Sequence, residues 1–449
     1  MATEIRPSDS GHSGALTSPG YVVPFITVTA LFFIFGFITT LNMALVPDLR
    51  SIFDLPYGWA MLAESAFFLA YFVFSSPSSK LIEWIGYKKT MVVSLFVQVL
   101  GCALFVPAAK LVNFPLFLAA VFIVGAGVTA LQTAANPYAA ILGPEETAPA
   151  RLTLAQAFNS IGATIAPIVG GAFFLSVTNS TDKAAIANGV RAPYIAIAAG
   201  LFVLGLAVIF SHLPPIPGAR SSKAAGLDGP TRSIWSYRHT VLGAIGIFLY
   251  VGVEVGLASI AVNYFKSQGM SSLKTASFLV SLYWGGALVG RLLGSWMLTK
   301  IKAGKLLGIF GFCGSALLVV SMFSTGGVAI WSLVLCGFFN SIMFPNVFAL
   351  GIAGLGPMTS KGSGLIMTAV VGGAVIPYLL GSAADKLAVV WAFAHDRAAV
   401  EYALAHNLLY HSTVADRIGI QHALVIPLFC YLYIAIYGLW GSHPSRTAA

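Results

Sequence analysis

Residues 114–142 read FPLFLAAVFIVGAGVTALQTAANPYAAIL and contain no Lys, Arg, Asp or Glu. The stretch exceeds the roughly 20 apolar residues that a helix needs to cross the hydrocarbon core of a bilayer. It also contains Gln132, Asn136 and Pro137, residue types that are costly in lipid unless they face protein or water. The stretch therefore predicts a membrane-spanning helix with a polar face turned toward a wet cavity or a neighbouring helix.

The rest of the chain has the same apolar character. Of its 449 residues, 58% are hydrophobic and 9% are charged, whereas about a quarter of the residues in soluble domains are charged. The mean hydropathy of +0.87 agrees, and together these values exclude a soluble or secreted enzyme. Apolar stretches recur at 22–46, 58–78, 90–107, 114–142, 152–177, 193–213, 240–265, 275–299, 306–324, 328–355, 363–384 and 422–441. Because backbone in lipid must satisfy its own hydrogen bonds, we predict an all-α membrane protein with 12 transmembrane helices in two six-helix bundles.

Two long connections interrupt this series. Residues 214–237 are rich in Pro, Gly, Ser and basic residues, which indicates a flexible linker between the two sets of six spans. Residues 385–421 precede the last span and form a predicted insertion on the outer side. The predicted order is a tail at 1–21, a bundle at 22–213, the linker at 214–237, a second bundle at 238–441 and a tail at 442–449.

The distribution of charge predicts the orientation. The net charge is +9, from 24 Lys+Arg against 15 Asp+Glu, and most basic residues lie in short connections such as those with Lys88, Lys89 and Lys300. This pattern follows the positive-inside rule and does not resemble a nucleic-acid-binding face. We therefore expect a multi-pass protein of the cell inner membrane with both termini in the cytoplasm, surrounded by lipid and acting as a monomer.

Corresponding features in the two halves point to transport. Charged connections follow the second span of each half, and glycine- and proline-interrupted stretches form the fifth span of each. Parallel repeats of this kind place the binding site of many transporters at their interface. The sequence contains no His-Glu-x-x-His, Gly-x-Ser-x-Gly or Walker motif, which argues against an enzyme and against direct use of ATP. We predict a secondary transporter without a cofactor or metal.

Amide side chains are the candidate ligands. Gln132 and Asn136 are spaced i, i+4, and Gln156 and Asn159 are spaced i, i+3, so each pair shares a helix face. A sugar hydroxyl both donates and accepts hydrogen bonds, and a carboxamide offers both functions. The alternative, contacts between helices through the amides, is equally compatible with the spacing.

Several longer motifs carry a family resemblance. The runs Leu131–Pro137, Arg151–Gly162, Tyr237–Gly246 and Asn340–Pro345 resemble the fucose/galactose/glucose:proton symporter family, and within it the bacterial glucose/galactose transporters. The resemblance implies a major facilitator fold and uptake of a hexose by alternating access. Its motifs add Asn42 and Asn340 to the candidates for substrate binding. Independently of the resemblance, the aromatic rings of Tyr283 and Trp284 could stack on the C–H faces of a sugar. Fucose, N-acetylglucosamine and uncoupled diffusion of a hexose remain alternatives.

The coupling residue departs from the family pattern. Met43 stands where relatives have Asp, and Gln132 stands where the fucose symporter has Glu. Glu254 and Glu64 are the remaining candidates for coupling to H+ or Na+, and Glu254 is the stronger because it lies deeper in its span. A carboxylate at the bilayer centre costs about 2.5–3.5 kcal/mol. Glu254 could instead pair with a polar neighbour and only hold helices together, and we expect Arg291 to be a structural charge that is paired or snorkels.

Overall fold

The spans expected from the sequence appear as helices in the computed structural model of the protein. Every regular element in the residues that the structure describes is helical. The structure describes residues 16–44, 57–111, 113–174, 183–214, 233–270, 272–395, 397–398, 401 and 413–443.

Six long helices precede the linker in the described part of the chain. They are α1 (Val22–Ala44), α2 (Tyr57–Ile85), α3 (Tyr87–Lys110), α4 (Phe114–Ile141), α5 (Ala148–Phe174) and α6 (Lys183–Phe210). Helix α5 is continuous through the glycine-rich stretch at 162–171 that the sequence suggested would be interrupted. These six helices pack against one another and are called the first bundle.

The helices after the linker are more often broken. They are α7 (Arg238–Ser267), α8 (Leu273–Met297), α9 (Ala303–Phe323), α10 (Gly326–Asn340), α11 (Met343–Ile352), α12 (Thr359–Thr368), α13 (Gly372–His395), α14 (Thr413–Ala423) and α15 (Val425–Ile436). A short π-helix, Tyr437–Gly441, continues α15. These elements form the second bundle. In the described ranges, nine helical segments are long and apolar enough to cross a membrane.

Prolines in the fourth and tenth predicted spans leave backbone carbonyls free. Pro137 lies inside α4 and Pro345 lies in the first turn of α11. Proline has no N–H to donate to the residue four positions earlier, so the carbonyls of Thr133 and Ser341 lose their usual helical partners. Residues from other helices donate to both carbonyls, as described below.

The predicted insertion begins as an extension of a span. Helix α13 continues past Ala384 to His395, and α14 packs back against it. Small side chains allow this close approach, because a Cβ at Gly419 of α14 would meet the Ala384 carbonyl and lie 2.8 Å from the Cβ of Ala388. Residues 396, 399–400 and 402–412 of the predicted insertion lie outside the described residues.

Residues 215–232 of the predicted linker lie outside the described residues. The end of the molecule at which the described chain stops before them and resumes after them is called the linker face. Helix α6 ends there at Phe210 and α7 begins there at Arg238. Lys88 Nζ donates to the Ser211 carbonyl at 2.7 Å, which satisfies an acceptor at the end of α6. Tyr138 Oη, near the end of α4, donates to the Pro214 carbonyl at 2.8 Å. The linker-side ends of α3, α4 and α6 are thereby held together.

The two bundles meet along a seam that runs inward from the linker face. It is formed by α5 against α8 and α11, and by α2 and α4 against α12. The close approach reaches about the middle of the helices, where a Cβ on Gly373 would lie 2.5 Å from Cε1 of the Phe68 ring. The seam brings the candidate amides of the first bundle next to the second bundle.

Candidate functional site

Gln132 and Asn136 lie on α4 beside the seam. Both are buried. Gln132 Nε2 donates a hydrogen bond to the hydroxyl of Tyr71 on α2. Asn136 Nδ2 contacts Met367 Sδ of α12 at 3.5 Å, across the bundle boundary, and its Oδ1 atom is buried without a partner. Asn136 therefore keeps an unused acceptor at the boundary between the bundles.

The two amides of α5 have different surroundings. Gln156 is buried, and its backbone carbonyl accepts from Arg291 of α8 at 3.2 Å. Asn159 is half-buried, and its Nδ2 donates to the Phe32 carbonyl of α1 at 3.3 Å. A Cβ on Gly36 would lie 2.7 Å from that same Nδ2 atom. Gln156 thus belongs to the seam, whereas Asn159 joins α1 to α5 within the first bundle.

Tyr283 and Asn340 belong to a hydrogen-bonded chain in the second bundle. Tyr431 Oη donates to Asn340 Oδ1 at 2.5 Å, and Asn340 Nδ2 donates to Tyr283 Oη at 2.6 Å. Tyr283 Oη in turn donates to the Glu254 carbonyl at 3.1 Å. Both ends of the Asn340 amide are therefore occupied. Trp284 is 41% exposed and meets Tyr283 edge-on, with ring centroids 5.5 Å apart.

Two of the predicted residues cannot be placed. The side chains of Asn42 and Glu64 lie outside the residues that the structure describes, although the helices α1 and α2 include both positions. Their roles remain predictions.

Glu254 forms an ion pair with Arg291. Glu254 Oε1 lies 3.6 Å from Arg291 Nη2, and the two side chains are 13% and 9% exposed. Arg291 Nε also donates to the Ser341 carbonyl at 3.3 Å, which is the carbonyl that Pro345 leaves free. The expectation that Arg291 is paired is confirmed.

The same guanidinium reaches the first bundle. Arg291 Nη1 donates to the Gln156 carbonyl at 3.2 Å and to the hydroxyl of Ser160, both on α5. Buried charges are stable only when they are paired and hydrogen-bonded. Arg291 meets this condition through Glu254 on α7, Ser341 between α10 and α11, and the two residues of α5.

Serine hydroxyls complete the seam near the linker face. Ser363 Oγ of α12 donates to the Thr133 carbonyl of α4 at 2.7 Å. Ser295 Oγ of α8 donates to the Ala150 carbonyl of α5 at 3.0 Å. Closest to the linker face, Ser360 Oγ donates to Glu83 Oε1 at 3.1 Å. These hydrogen bonds join the bundles, and no ion pair links the two bundles among the residues that the structure describes.

A comparison with protein families decides the classification. The model of the Major Facilitator Superfamily matches residues 27–377. The chain belongs to this superfamily.

Curated relatives of this superfamily member match it over most of their lengths. It is 42% identical over 444 residues to the glucose/galactose transporter of Brucella abortus, covering 98% of this chain and 100% of the relative. It is 39% identical over 422 residues to a putative glucose/galactose transporter of Helicobacter pylori, covering 92% and 96%. It is 32% identical over 391 residues to the L-fucose-proton symporter of Escherichia coli, covering 82% and 88%. The predicted family is therefore confirmed.

Solved structures confirm the fold. The crystal structure of the Escherichia coli fucose:proton symporter superposes with a TM-score of 0.76 at 28% identity, covering 93% of this chain and 98% of that one. A second structure of that transporter, in the outward conformation, gives a TM-score of 0.77 at 29% identity with the same coverage. The protein is an all-α, multi-pass membrane transporter.

Asn346 is a polar residue of this transporter that the sequence argument missed. It lies in α11, fully buried, and neither Nδ2 nor Oδ1 has a hydrogen-bond partner. Asn346 is one helical turn after Ile342, whose side chain fills the space beside Gly294 of α8. The signal was present, because Pro345-Asn346 places an amide next to a proline, as Asn136-Pro137 does in α4.

Among the residues that the structure describes, no group of three or more His, Cys, Asp or Glu side chains converges as a metal site. The four cysteines are free thiols. The chemistry of the site therefore consists of amides, hydroxyls, aromatic rings and the Glu254–Arg291 pair.

Proposed function

We propose that the chain takes up a hexose of the glucose/galactose class by alternating access, coupled to a proton. The observation that carries this proposal is the 42% identity to a glucose/galactose transporter over 98% of the chain and the whole of that relative. A transporter of this superfamily with parallel repeats binds its substrate between the bundles. The proposed path for the sugar therefore passes through the region that the seam closes.

The proposed sugar ligands are the amides at the bundle boundary. Gln132, Asn136 and Gln156 are the strongest candidates because they lie where the bundles meet, and Asn136 Oδ1 has no competing partner. Asn340 and Tyr283 would contribute only by giving up bonds that they already make. Asn42, Asn159 and Trp284 remain further candidates.

Glu254 is the proposed proton carrier. The family resemblance would place carboxylates at positions 43 and 132, where this chain has Met43 and Gln132, whereas Glu254 is a largely buried acid in a span. Its partner Arg291 gives the ionised form a counter-charge, whereas a protonated Glu254 leaves that charge unbalanced. Glu64 remains a second candidate, and Na+ is the alternative coupling ion.

The proposed orientation places the linker face and both termini in the cytoplasm of a cell with an inner membrane. The distribution of Lys and Arg among the connections supports it. With this orientation, the closed seam lies on the cytoplasmic side, which corresponds to an outward-facing state. The high TM-score against a relative in the outward conformation supports this assignment. Both halves of the proposed site come from one chain, which is consistent with a functional monomer.

Uptake by purified protein in liposomes tests the proposal. We expect accumulation of radiolabelled glucose or galactose above the external concentration when the outside is acidic, and collapse of the gradient with a protonophore. A competition panel of glucose, galactose, fucose and N-acetylglucosamine ranks the substrates. Uptake that stops at equal concentrations under every imposed ion gradient would establish the uncoupled facilitator instead. Accumulation driven only by a sodium gradient would identify Na+ as the coupling ion, and absence of hexose movement would refute the proposal.

A further inference from the structure

The position of Arg291 is fixed by close packing of its own helix. Arg291 lies between Gly290 and Gly294 on α8, and both glycines pack against the break between α10 and α11. A Cβ on Gly290 would lie 2.6 Å from the Phe338 carbonyl and would overlap Ser341. Helix α8 therefore has no space to shift toward the break, and the guanidinium can change partners only by movement of its side chain or of the opposite bundle.

The partners of Arg291 divide between the two bundles. Glu254 and the Ser341 carbonyl belong to the second bundle, and the Gln156 carbonyl and Ser160 hydroxyl belong to the first. Opening the seam must break the last two bonds. The first two can persist, because they lie on the same side of the boundary.

The charge of this cluster depends on Glu254. Among the residues that the structure describes, Glu254 is the only carboxylate within 4 Å of the guanidinium. Among the described residues, the phenols of Tyr250 on α7 and Tyr283 on α8 interact with Glu254. The phenol of Tyr431 on α15 and the thiol of Cys336 on α10 lie one step further away, beside Tyr283. A phenol titrates near pH 10 in water and is uncharged below that pH. Protonation of Glu254 would therefore leave Arg291 as a buried cation without a counter-charge.

We infer that Arg291 is a positioning residue that transmits the charge of Glu254 to the seam. With Glu254 ionised, the pair is neutral and the guanidinium remains buried on α5, which favours the closed seam. With Glu254 protonated, the unbalanced cation is costly in a dry environment. That cost is reduced when the seam opens and water reaches the guanidinium. The inference rests on the proposed role of Glu254. It states that protonation of Glu254 favours opening of the seam at the linker face.

A cysteine reporter in the seam measures this effect without sugar. Thr153 of α5 is buried, and its methyl group lies 3.9 Å from the position of a Cβ on Gly294. We would place Thr153→Cys in otherwise unaltered protein and in Glu254→Gln, Arg291→Gln, Arg291→Lys and the double variant Glu254→Gln/Arg291→Gln. The rate of labelling by N-ethylmaleimide is measured in nanodiscs from pH 5 to pH 8. Protein without Thr153→Cys gives the background from the native thiols.

The expected pattern follows from the charge. At pH 8, Glu254→Gln should label about fivefold faster than the parent reporter, because it mimics the protonated state. The ratio between the two should approach one at pH 5, and the intrinsic pH dependence of the thiol cancels in this ratio. The double variant removes the unbalanced cation and should label more slowly than Glu254→Gln. Arg291→Lys keeps the charge and should retain the direction of the pH dependence, whereas Arg291→Gln should lose it.

Two results would overturn the inference. One is a Glu254→Gln reporter that labels like the parent at pH 8. The other is a double variant whose change in labelling rate is the product of the changes in the two single variants. That result is expected if Arg291 only holds the helices together, independently of the charge of Glu254. Hexose counterflow by the parent protein is measured in parallel. Absence of counterflow refutes the proposed function, whereas counterflow with a flat labelling profile refutes only the role of Arg291.

Discussion

Ser363 Oγ lies 2.7 Å from the backbone carbonyl of Thr133. The two residues belong to different bundles, and the carbonyl is available because Pro137 cannot donate to it. On the other side of the boundary, Pro345 frees the Ser341 carbonyl, which accepts from Arg291 at 3.3 Å. In both places a proline in a spanning helix supplies an acceptor that another helix uses.

This relationship predicts the effect of removing the serine hydroxyl. Ser363→Ala should weaken the closed seam by about 0.5–1.5 kcal/mol, the typical contribution of one hydrogen bond. Labelling of the Thr153→Cys reporter should therefore rise about two- to tenfold. Ser315→Ala is the control, because Ser315 Oγ bonds only within its own helix, to the Gly311 carbonyl. Equal labelling of the two variants would show that the bond does not contribute to closure.

A second prediction concerns the proposed sugar ligand Gln132. Gln132→Leu should raise the KM for the hexose about tenfold or more, because the sugar hydroxyls lose a partner that both donates and accepts. Gln98→Leu is the matched control, since Gln98 is a buried amide of the first bundle that bonds the Ser94 carbonyl of its own helix at 3.2 Å. Initial rates of uptake in liposomes give the KM of each variant. A KM unchanged in Gln132→Leu would remove this residue from the site.

Two asparagines of the tenth predicted span should respond in opposite directions. Asn346→Leu removes a buried amide without partners and should stabilise the observed conformation by about 1–3 kcal/mol, which raises the thermal midpoint in detergent. The same change should slow transport, because the closed seam becomes harder to open. Asn340→Leu should lower the midpoint, because Tyr283 and Tyr431 both bond that amide. A lower midpoint in both variants would indicate that Asn346 has a stabilising contact.

The fourth prediction concerns proton coupling. Glu254→Gln should abolish accumulation against a gradient while hexose exchange at equal concentrations continues, because exchange needs no net proton movement. Glu401→Gln is the control, since Glu401 is exposed and pairs with Arg397, four residues earlier, at 2.7 Å. Uptake and counterflow are measured on the same liposomes with an imposed pH gradient. Undiminished accumulation by Glu254→Gln would exclude it as the proton carrier and would direct attention to Glu64.

The last prediction tests the packing that fixes Arg291. Gly290→Ala should lower stability by about 1–3 kcal/mol through overpacking, because the new methyl group would meet the Phe338 carbonyl at 2.6 Å. Gly285→Ala on the same helix should be neutral or slightly stabilising, since nothing lies within 4 Å of its Cβ position. Thermal unfolding in detergent compares the two. An equal loss of stability in Gly290→Ala and Gly285→Ala would mean that α8 is destabilised by alanine at either position, and not specifically by overpacking against the break between α10 and α11.

The amino-acid sequence alone determined the class of the protein and the approximate location of its spans. Long uncharged stretches can only be buried in lipid as helices, so composition and length were sufficient for an all-α membrane protein. The motifs around Gln132 and Asn340 were sufficient for the family. The sequence did not predict the break within the tenth span, because a short turn leaves the apolar pattern unchanged. It did predict an interruption of the eleventh span, but at the glycines and the proline of 372–381, whereas the structure has a 3-10 turn just before them, at Ala369–Val371.

Only the tertiary structure decided which polar residues meet. Gln156 and Asn159 share a helix face by spacing, yet Gln156 lies at the seam and Asn159 bonds the Phe32 carbonyl of α1. Arg291 was predicted to be paired or to snorkel, but its link to α5 depends on residues more than a hundred positions away in the chain. Helical periodicity specifies the direction in which a side chain points from its own helix. The partner that the side chain meets is specified by the packing of several helices, and that packing depends on where glycines permit close approach.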